Sequence, residues 1–419
     1  MIQAPKGTKD YLPEEMRKRR QVMEKIRQVF EKYGYSEVCT PAFENLELFD
    51  KKGGIGDDNI KDIYRFQDKA ERWLALRFEV TASIGRVIAN NPSIAKPLKW
   101  YYISNLWRYE ATRKGRLREF WQAGIENIGK RDEIVDAEIL AITHDALKAV
   151  GIENFVMRVS SRKIISKVAD KFGISDKFAF YRAIDKKEKL ELEDWINELE
   201  GHFKSRADLD EFIDIIETPW EKLGERLSGI ADEEIAYLGK MLEYCRSFGV
   251  CEKSFKVDIS MIRGLDYYTD FIFETQILGE EDLGSVAGGG RYDNMVELFG
   301  GQSTPATGMA IGIERIMEML LEKIPEEKAI DALILPFSDE FFGRAAEIST
   351  FLRKEGVRCD IEIMRAKFGK KMAYASEIGA KFAIIIGQEE AEKGCYTLKN
   401  MVTGEQKSVS KEELVREIK

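Results

Sequence analysis

Apolar residues recur at helical spacing over residues 12–33, at Met16, Val22, Ile26, Val29 and Phe30, and Gly34 supplies a stop. A short strand over 36–40 follows, broken by Pro41. Residues 100–110 and 120–129 read as strands, and the polar stretch 111–119 between them reads as a long hairpin loop. Residues 132–150 carry an amphipathic helical pattern. From about 166 to 248 the spacing is helical with alternating acidic and basic positions, which predicts an inserted helical domain. Strand patterns resume at Phe255 and again over 270–277. Segment 288–291 predicts a glycine-rich turn, and 308–312 a small-residue strand leading into a helix over 313–323. Beyond a linker at 325–328, strands at 332–336, 358–363 and 382–387 alternate with helices at 341–356 and 368–379. That alternation predicts a small α/β domain with a mixed sheet.

A chain of 419 residues exceeds one small core, so two or three domains are expected. Apolar residues make up 44% and charged residues 33%, which excludes a disordered chain. No run is long and apolar enough to span a membrane, and the polar start, with Lys6, Thr8, Lys9 and Asp10, is unlike a signal sequence; a cytoplasmic protein without membrane contact is expected. The five cysteines are scattered without C-x-x-C spacing, which indicates neither a disulfide framework nor a thiolate zinc site. His144 and His202 are the only histidines, far from any cysteine cluster, so no metal site built from cysteine and histidine and no Ser-His catalysis is expected. The net charge of −9 means that a nucleic-acid partner would have to be met by local basic patches.

The chemistry-bearing segments are few. Residues 263–269 read RGLDYYT, placing the guanidinium of Arg263 beside a glycine and two phenols, Tyr267 and Tyr268. An arginine fork beside a glycine can grip a phosphate or carboxylate closely, although a tyrosine-rich strand would read the same way. Along 120–126, alternation puts Phe120, Gln122, Gly124 and Glu126 on one face and Trp121, Ala123 and Ile125 on the other, while Arg108 and Glu110 share a face of the preceding strand. The loop between them carries Arg113, Lys114, Arg116 and Arg118, a set suited to polyphosphate or a nucleic-acid backbone. Glu79 and Thr81, two apart, share one face of a strand-like run, as a half-buried strand end or as a seat for an ammonium group. Residues 308–315 bring Arg315 to a helix start beside glycines, where it can stack on a planar ring. The glycine run before Arg291, Tyr292 and Asp293 matches no Walker or Rossmann fingerprint.

Taken together, these segments resemble the class II aminoacyl-tRNA synthetases. Residues 34–41 resemble motif 1, Arg108 to Glu110 with the basic loop and Phe120 resemble motif 2, and 308–315 resemble motif 3. Residues 6–10, 263–269 and 287–293 are similar to segments specific to histidyl-tRNA synthetases. Residues 365–371, which read RAKFGKK, with Gly379, Ala380, Ile386 and Gly387, resemble the anticodon-binding domain of several class II members.

The resemblance implies an α+β fold: a catalytic domain over 1–325 with an antiparallel sheet flanked by helices, a helical insertion over 166–250, and a C-terminal α/β anticodon-binding domain over 326–419. It implies ATP-dependent activation of L-histidine to histidyl-adenylate and transfer to the 3′ end of tRNA(His), with Mg²⁺ on the outer phosphates. Catalysis falls to Arg108 and Arg263, on either side of the α-phosphate. Phe120 and Arg315 would sandwich the adenine, Arg116 would meet the pyrophosphate, and Glu110 completes the ATP set. Glu79 and Thr81 would take the histidine ammonium, Gln122 would orient the amino acid, and Glu126 and Tyr268 would read the imidazole, with Tyr267 and Tyr292 closing the pocket and Arg108 and Arg263 nearby. Arg113, Lys114, Lys367, Lys370 and Lys371 are the candidate tRNA contacts, and motif 1 implies a homodimer. The chain departs from the family at Phe78, where a proline is usual, and at Ser160, Ser161 and Arg162, where an asparagine-containing stretch is usual. A regulatory paralogue would lack the anticodon-binding domain and catalytic motif residues, and a threonine, proline or glycine synthetase would lack the 263–269 segment.

Overall fold

The computed structural model describes residues 2–50, 60–187, 190–262, 267–325 and 330–419. Arg263 lies outside the described residues. The chain divides into two compact units, Met1–Ile324 and Pro325–Lys419.

The strands of the first unit are β1 (Ser36–Glu37), β2 (Phe43–Asn45), β3 (Arg65–Gln67), β4 (Trp73–Leu76), β5 (Leu98–Trp107), β6 (Glu119–Ile128), β7 (Phe155–Ser161), β8 (Phe255–Val257), β9 (Phe271–Ile277), β10 (Ala287–Arg291) and β11 (Ala306–Gly312). Eight of them form a sheet in the order β1-β5-β6-β11-β10-β9-β7-β8. Its central pairings are antiparallel, and β1 and β8 add in parallel at the edges. β2, β4 and β3 make a separate three-stranded antiparallel sheet.

The large sheet has two unlike faces because side chains alternate along each strand. Ala123, Ile125, Met309, Ile311 and Phe273 point into the main core with the buried residues of helices Pro13–Lys32 and Glu133–Val150. Helix Pro13–Lys32 opens with Pro13, Glu14 and Glu15 and closes with Lys32, which suits its dipole. Asp132 caps helix Glu133–Val150 by accepting from Ile134 N, and Gly151 ends it in the left-handed conformation at φ 96°. The opposite face carries Gln122, Gly124 and Glu126 of β6, Gly308, Ala310 and Gly312 of β11, and Gly288 and Gly290 of β10. Small residues there leave the space a substrate needs.

The expected glycine-rich turn at 288–291 is instead strand β10, inside the sheet. The absence of side chains is what allows it: a Cβ on Gly289 would lie 2.0 Å from the Gly308 carbonyl oxygen, and one on Gly290 2.4 Å from that of Phe271. Strand β5 ends at Trp107, so Arg108 and Glu110 lie beyond it rather than on a strand face. β4 ends at Leu76 and helix Thr81–Asn90 begins five residues later, so Glu79 and Thr81 do not alternate along a strand.

Between β7 and β8 run helices Arg162–Lys171, Lys177–Ile184, Leu192–Glu200, Arg206–Glu217, Trp220–Arg226 and Asp232–Ser247. Their buried Phe180, Trp195, Phe212 and Met241 belong to the same apolar cluster as the sheet. The second unit has strands β12 (Ala332–Pro336), β13 (Cys359–Ile361), β14 (Phe382–Ile386), β15 (Tyr396–Asn400) and β16 (Gln406–Val409) in the order β13-β12-β14-β15-β16. β12, β13 and β14 are parallel and β14, β15 and β16 antiparallel, giving a mixed sheet as the strand–helix alternation predicts.

Candidate active site

Two adjoining cavities open on the small-residue face of the large sheet. The larger, of 360 Å³, is walled by Arg108, Arg113, Arg116, Phe120, Glu274 and Arg315, among others. The smaller, of 70 Å³, is walled by Glu79, Thr81, Glu126's neighbour Gly308, Tyr267, Tyr268 and Tyr292, with Tyr102 behind. Arg108, Gln122, Gly288 and Ala310 line both, so the two form one continuous site. A cavity of 570 Å³ exists on the far side of Tyr267 and Tyr268, lined by Arg162, Phe178 and Tyr181, but it lacks the clustered arginines.

The larger cavity is strongly cationic. Arg108 Nε donates to the Phe78 carbonyl at 3.1 Å, and its guanidinium lies 4.4 Å from the Phe78 ring centre and 5.2 Å from that of Phe120. Phe78, the departure from the family proline, thus forms the bed of this arginine. Burial lowers the pKa of Arg108. Burial first, then the nearby charges of Arg116 and Arg113, pull Arg315 down to about 10. Guanidinium groups crowded in this way favour an anion between them. Glu110 takes a hydrogen bond from Arg116 Nε, and against the upward push of burial that contact holds its carboxyl below the usual range.

Directly behind the lining of the smaller cavity lies Glu126, 1% exposed and bonded to two of the lining residues. Thr81 Oγ1 donates to its Oε1 at 2.7 Å, and the Tyr292 hydroxyl donates to its Oε2. Burial pushes the Glu126 carboxyl up to about 8. Gly308 faces Glu126 across β11 and β6, and a Cβ there would stand 2.0 Å from Oε2. Glu79 is buried too; its Oε1 accepts from Ala82 N at 2.7 Å, while its Oε2 has no hydrogen-bond partner among the described residues. An unmatched buried carboxylate oxygen is costly unless a ligand supplies a donor. Tyr267 and Tyr268 pack with ring centres 4.7 Å apart, and Tyr267 meets Tyr292 edge-on at 5.8 Å.

Most of the residues expected from sequence therefore converge. Glu79, Thr81, Arg108, Gln122, Tyr267, Tyr268 and Tyr292 line the small cavity, with Glu126 behind Thr81 and Tyr292, and Arg108, Glu110, Arg116, Phe120 and Arg315 line the large one. Thr81 and Tyr292 hold Glu126 in place. Sequence reasoning missed Tyr102, Glu274 and Gln276, which line the site. The alternation of Glu274 and Gln276 along β9, on the face of Ile272, was the available signal. It also missed the Asp136–Arg291 pair on the core side of the sheet, two hydrogen bonds of 2.8 and 3.0 Å between fully buried groups.

Among the candidate tRNA contacts, Arg113, Lys114, Lys367 and Lys370 are exposed. Lys371 is not: its side chain is buried, ion-paired with Glu362 at 3.1 Å and donating to the Pro336 carbonyl at 2.6 Å. The amphipathic turn of helix Phe368–Glu377 points it inward, so its ammonium is a structural contact of the second unit. Among the described residues no group of three or more metal-type ligands occurs, and no helix is long and apolar enough to cross a membrane.

Residues 7–316 match the family model for histidyl-tRNA synthetase and residues 331–419 that for the anticodon-binding domain. The chain is 40% identical to the histidine–tRNA ligase of Pyrococcus horikoshii, with 100% of this chain and 99% of the relative covered. It is 41% identical to that of Thermococcus kodakarensis, covering 99% and 97%. The crystal structure of histidyl-tRNA synthetase from Nostoc sp. PCC 7120 superimposes with a TM-score of 0.84 at 28% identity, over 100% of this chain and 99% of that one. The fold is that of a class II aminoacyl-tRNA synthetase. Within that class the chain belongs to the histidyl-tRNA synthetase family.

Proposed function

We propose that this chain activates L-histidine with ATP and transfers the histidyl group to the 3′ end of tRNA(His). The observation that carries the reading is the junction of the two cavities at Arg108 and Gln122. An arginine-walled space meets a small pocket lined by the buried carboxyl of Glu79, which suits a carboxylate attacking the α-phosphorus in line with the departing pyrophosphate. The histidine carboxylate is already ionised and needs no general base; Arg108 stabilises the charge that grows on the α-phosphoryl oxygens. Arg263 is assigned the opposite side of that phosphate by its sequence motif. Phe120 and Arg315 hold the adenine between ring and guanidinium, and Arg116 exchanges Glu110 for the departing pyrophosphate.

The unmatched Glu79 oxygen supports an ammonium seat there. Imidazole has a donor and an acceptor nitrogen, and Glu126 with a neighbouring phenol can satisfy both. An analogue lacking either nitrogen leaves a buried group unpaired, which is a strong basis for rejection. Mg²⁺ accompanies the triphosphate in this reading. Of the cavity's three carboxylates, Glu314 is paired with Arg19, and Glu274 and Glu110 are the ones that would hold it, hard oxygen donors of the kind it takes; bound there it would screen the outer phosphates. Exposed Arg113 and Lys114 in the first unit, and Lys367 and Lys370 in the second, are assigned to the tRNA backbone. A homodimer through the motif 1 segment and a cytoplasmic location complete the proposal.

The test is ATP–pyrophosphate exchange without tRNA across all twenty amino acids. Exchange with histidine alone supports the pocket assignment. Exchange with a different amino acid keeps the class and overturns the pocket, and histidine binding without exchange points to a regulatory paralogue.

A further inference from the structure

The N-terminal segment 5–11 has no part in the chemistry above, yet it touches both walls of the arginine-lined cavity. It begins with a tight turn in which Thr8 N and Oγ1 both donate to the Pro5 carbonyl, at 3.0 and 2.7 Å. The turn aims the Gly7 carbonyl at the root of the basic loop, where it accepts from Arg118 N at 2.8 Å and Glu119 N at 3.3 Å. The next bonds run onward to the phosphate-facing residues: the Arg118 carbonyl accepts from Arg108 N at 2.9 Å, and Arg118 Nε donates to the Glu110 carbonyl at 3.2 Å. The Arg118 guanidinium also covers the Tyr109 ring at 4.0 Å.

Gly7 is required for this approach. Its φ is +84°, and a Cβ would fall 2.6–2.8 Å from Cβ, Cγ and Cδ of Arg118. The other end of the segment is fastened to the opposite wall. Lys9 pairs with Glu15 at 2.7 Å, and Tyr11 lies under the Arg19 guanidinium at 4.1 Å with its hydroxyl 3.4 Å from Glu314. Glu314 precedes Arg315, binds Arg19 at 2.7 Å and accepts from Trp121 N, next to Phe120, at 2.8 Å. The loop tip leans on the same wall, since a Cβ on Gly115 would lie 3.1 Å from Arg315 Cγ.

We infer that residues 5–11 are a strap that positions the basic loop against the Arg315 helix and so sets the geometry of the triphosphate site. The inference rests on the ATP reading of that cavity. Among the described residues no hydrogen bond, ion pair or ring contact joins the strap to Glu126, Tyr292 or Gly308, so its effect falls on the nucleotide and not on the amino acid. It is a positioning element: no atom of it lies on the reacting groups.

Two variants of the full chain test this, Gly7→Ala and a deletion of residues 1–8 that keeps the Tyr11 anchor. ATP and histidine are varied separately in pyrophosphate exchange, and histidine affinity is measured by calorimetry without ATP. The expected result is a rise of about tenfold or more in the KM for ATP and for pyrophosphate, with histidine affinity unchanged. An unmoved KM for ATP in both variants, or a parallel loss of histidine affinity, overturns the inference. Absence of histidine-dependent exchange in the parent chain overturns the reading beneath it, which is a separate and recognisable outcome.

Discussion

Replacing Gly308 by alanine is the sharpest probe of the amino-acid pocket. Gly308 sits in register between Gly290 and Glu126, so its missing side chain is what gives the Glu126 carboxylate its place. A methyl group there would stand 2.0 Å from Glu126 Oε2 and 2.5 Å from the Ile125 carbonyl oxygen. The carbonyl is fixed in the sheet, so relief must come from the carboxylate leaving its contacts with Thr81 and Tyr292. Overpacking of this kind costs about 1–3 kcal/mol of stability. Displacing the carboxylate from the imidazole forfeits a charged hydrogen bond of about 1.5–3 kcal/mol, or roughly 10- to 150-fold in kcat/KM for histidine. The assay is pyrophosphate exchange with histidine varied at saturating ATP, with Gly201→Ala, where a Cβ meets open space, as the control. The KM for ATP should stay near the parent value, because Gly308 does not line the nucleotide cavity. A folded Gly308→Ala protein with the parent KM for histidine would refute the assignment of Glu126.

The remaining predictions concern charge. Because the folded-state carboxyl of Glu126 is raised from 4.5 to about 8, the folded protein holds a proton that the unfolded chain releases between those values. Its contribution is therefore fully present below pH 4.5 and lost as pH rises to about 8, so Glu126→Gln should gain stability over the parent across that window, by up to about 5 kcal/mol; a melting-temperature difference that is the same at pH 5 and pH 8.5 would count against it. Lys371→Met leaves Glu362 buried without its partner and should destabilise the second unit by about 3–5 kcal/mol, whereas adding Glu362→Leu should recover most of it; denaturant unfolding of the two variants decides. Arg315→Ala should raise the KM for ATP by about tenfold through loss of stacking while sparing histidine affinity, and calorimetry with each ligand checks the split. Arg263→Ala should lower histidine activation by about 10²–10³-fold, by analogy with a lost oxyanion donor; near-parent turnover would remove it from the mechanism.

Much of the site was legible because sheet periodicity is strict. Once 120–126 reads as a strand, Gln122 and Glu126 must share a face, and they do. Arginine at a helix start beside glycines was likewise readable at Arg315. Glycine was the misleading residue: the run at 288–291 looks like a turn by local preference, but neighbouring backbones at van der Waals contact require it inside the sheet. Lys371 misled for a related reason, since a lysine beside exposed Lys370 reads as surface until Glu362 is seen beneath it.

The sequence by itself determined most of the elements, the two-part organisation and the family, and it named most of the residues that gather in the candidate site, because these follow from periodicity and from motifs local in the chain. Tertiary structure alone decided which charges meet and which are buried. Arg19 with Glu314, Arg291 with Asp136 and Gly7 with Arg118 are pairs separated by 295, 155 and 111 positions. No local pattern encodes such a meeting. It arises when alternating faces are stacked into layers, and the loss of water in that stacking raises the pKa values of ordinary carboxyl groups such as Glu126 and Glu79 and leaves Glu79 Oε2 with an unmet hydrogen bond among the described residues.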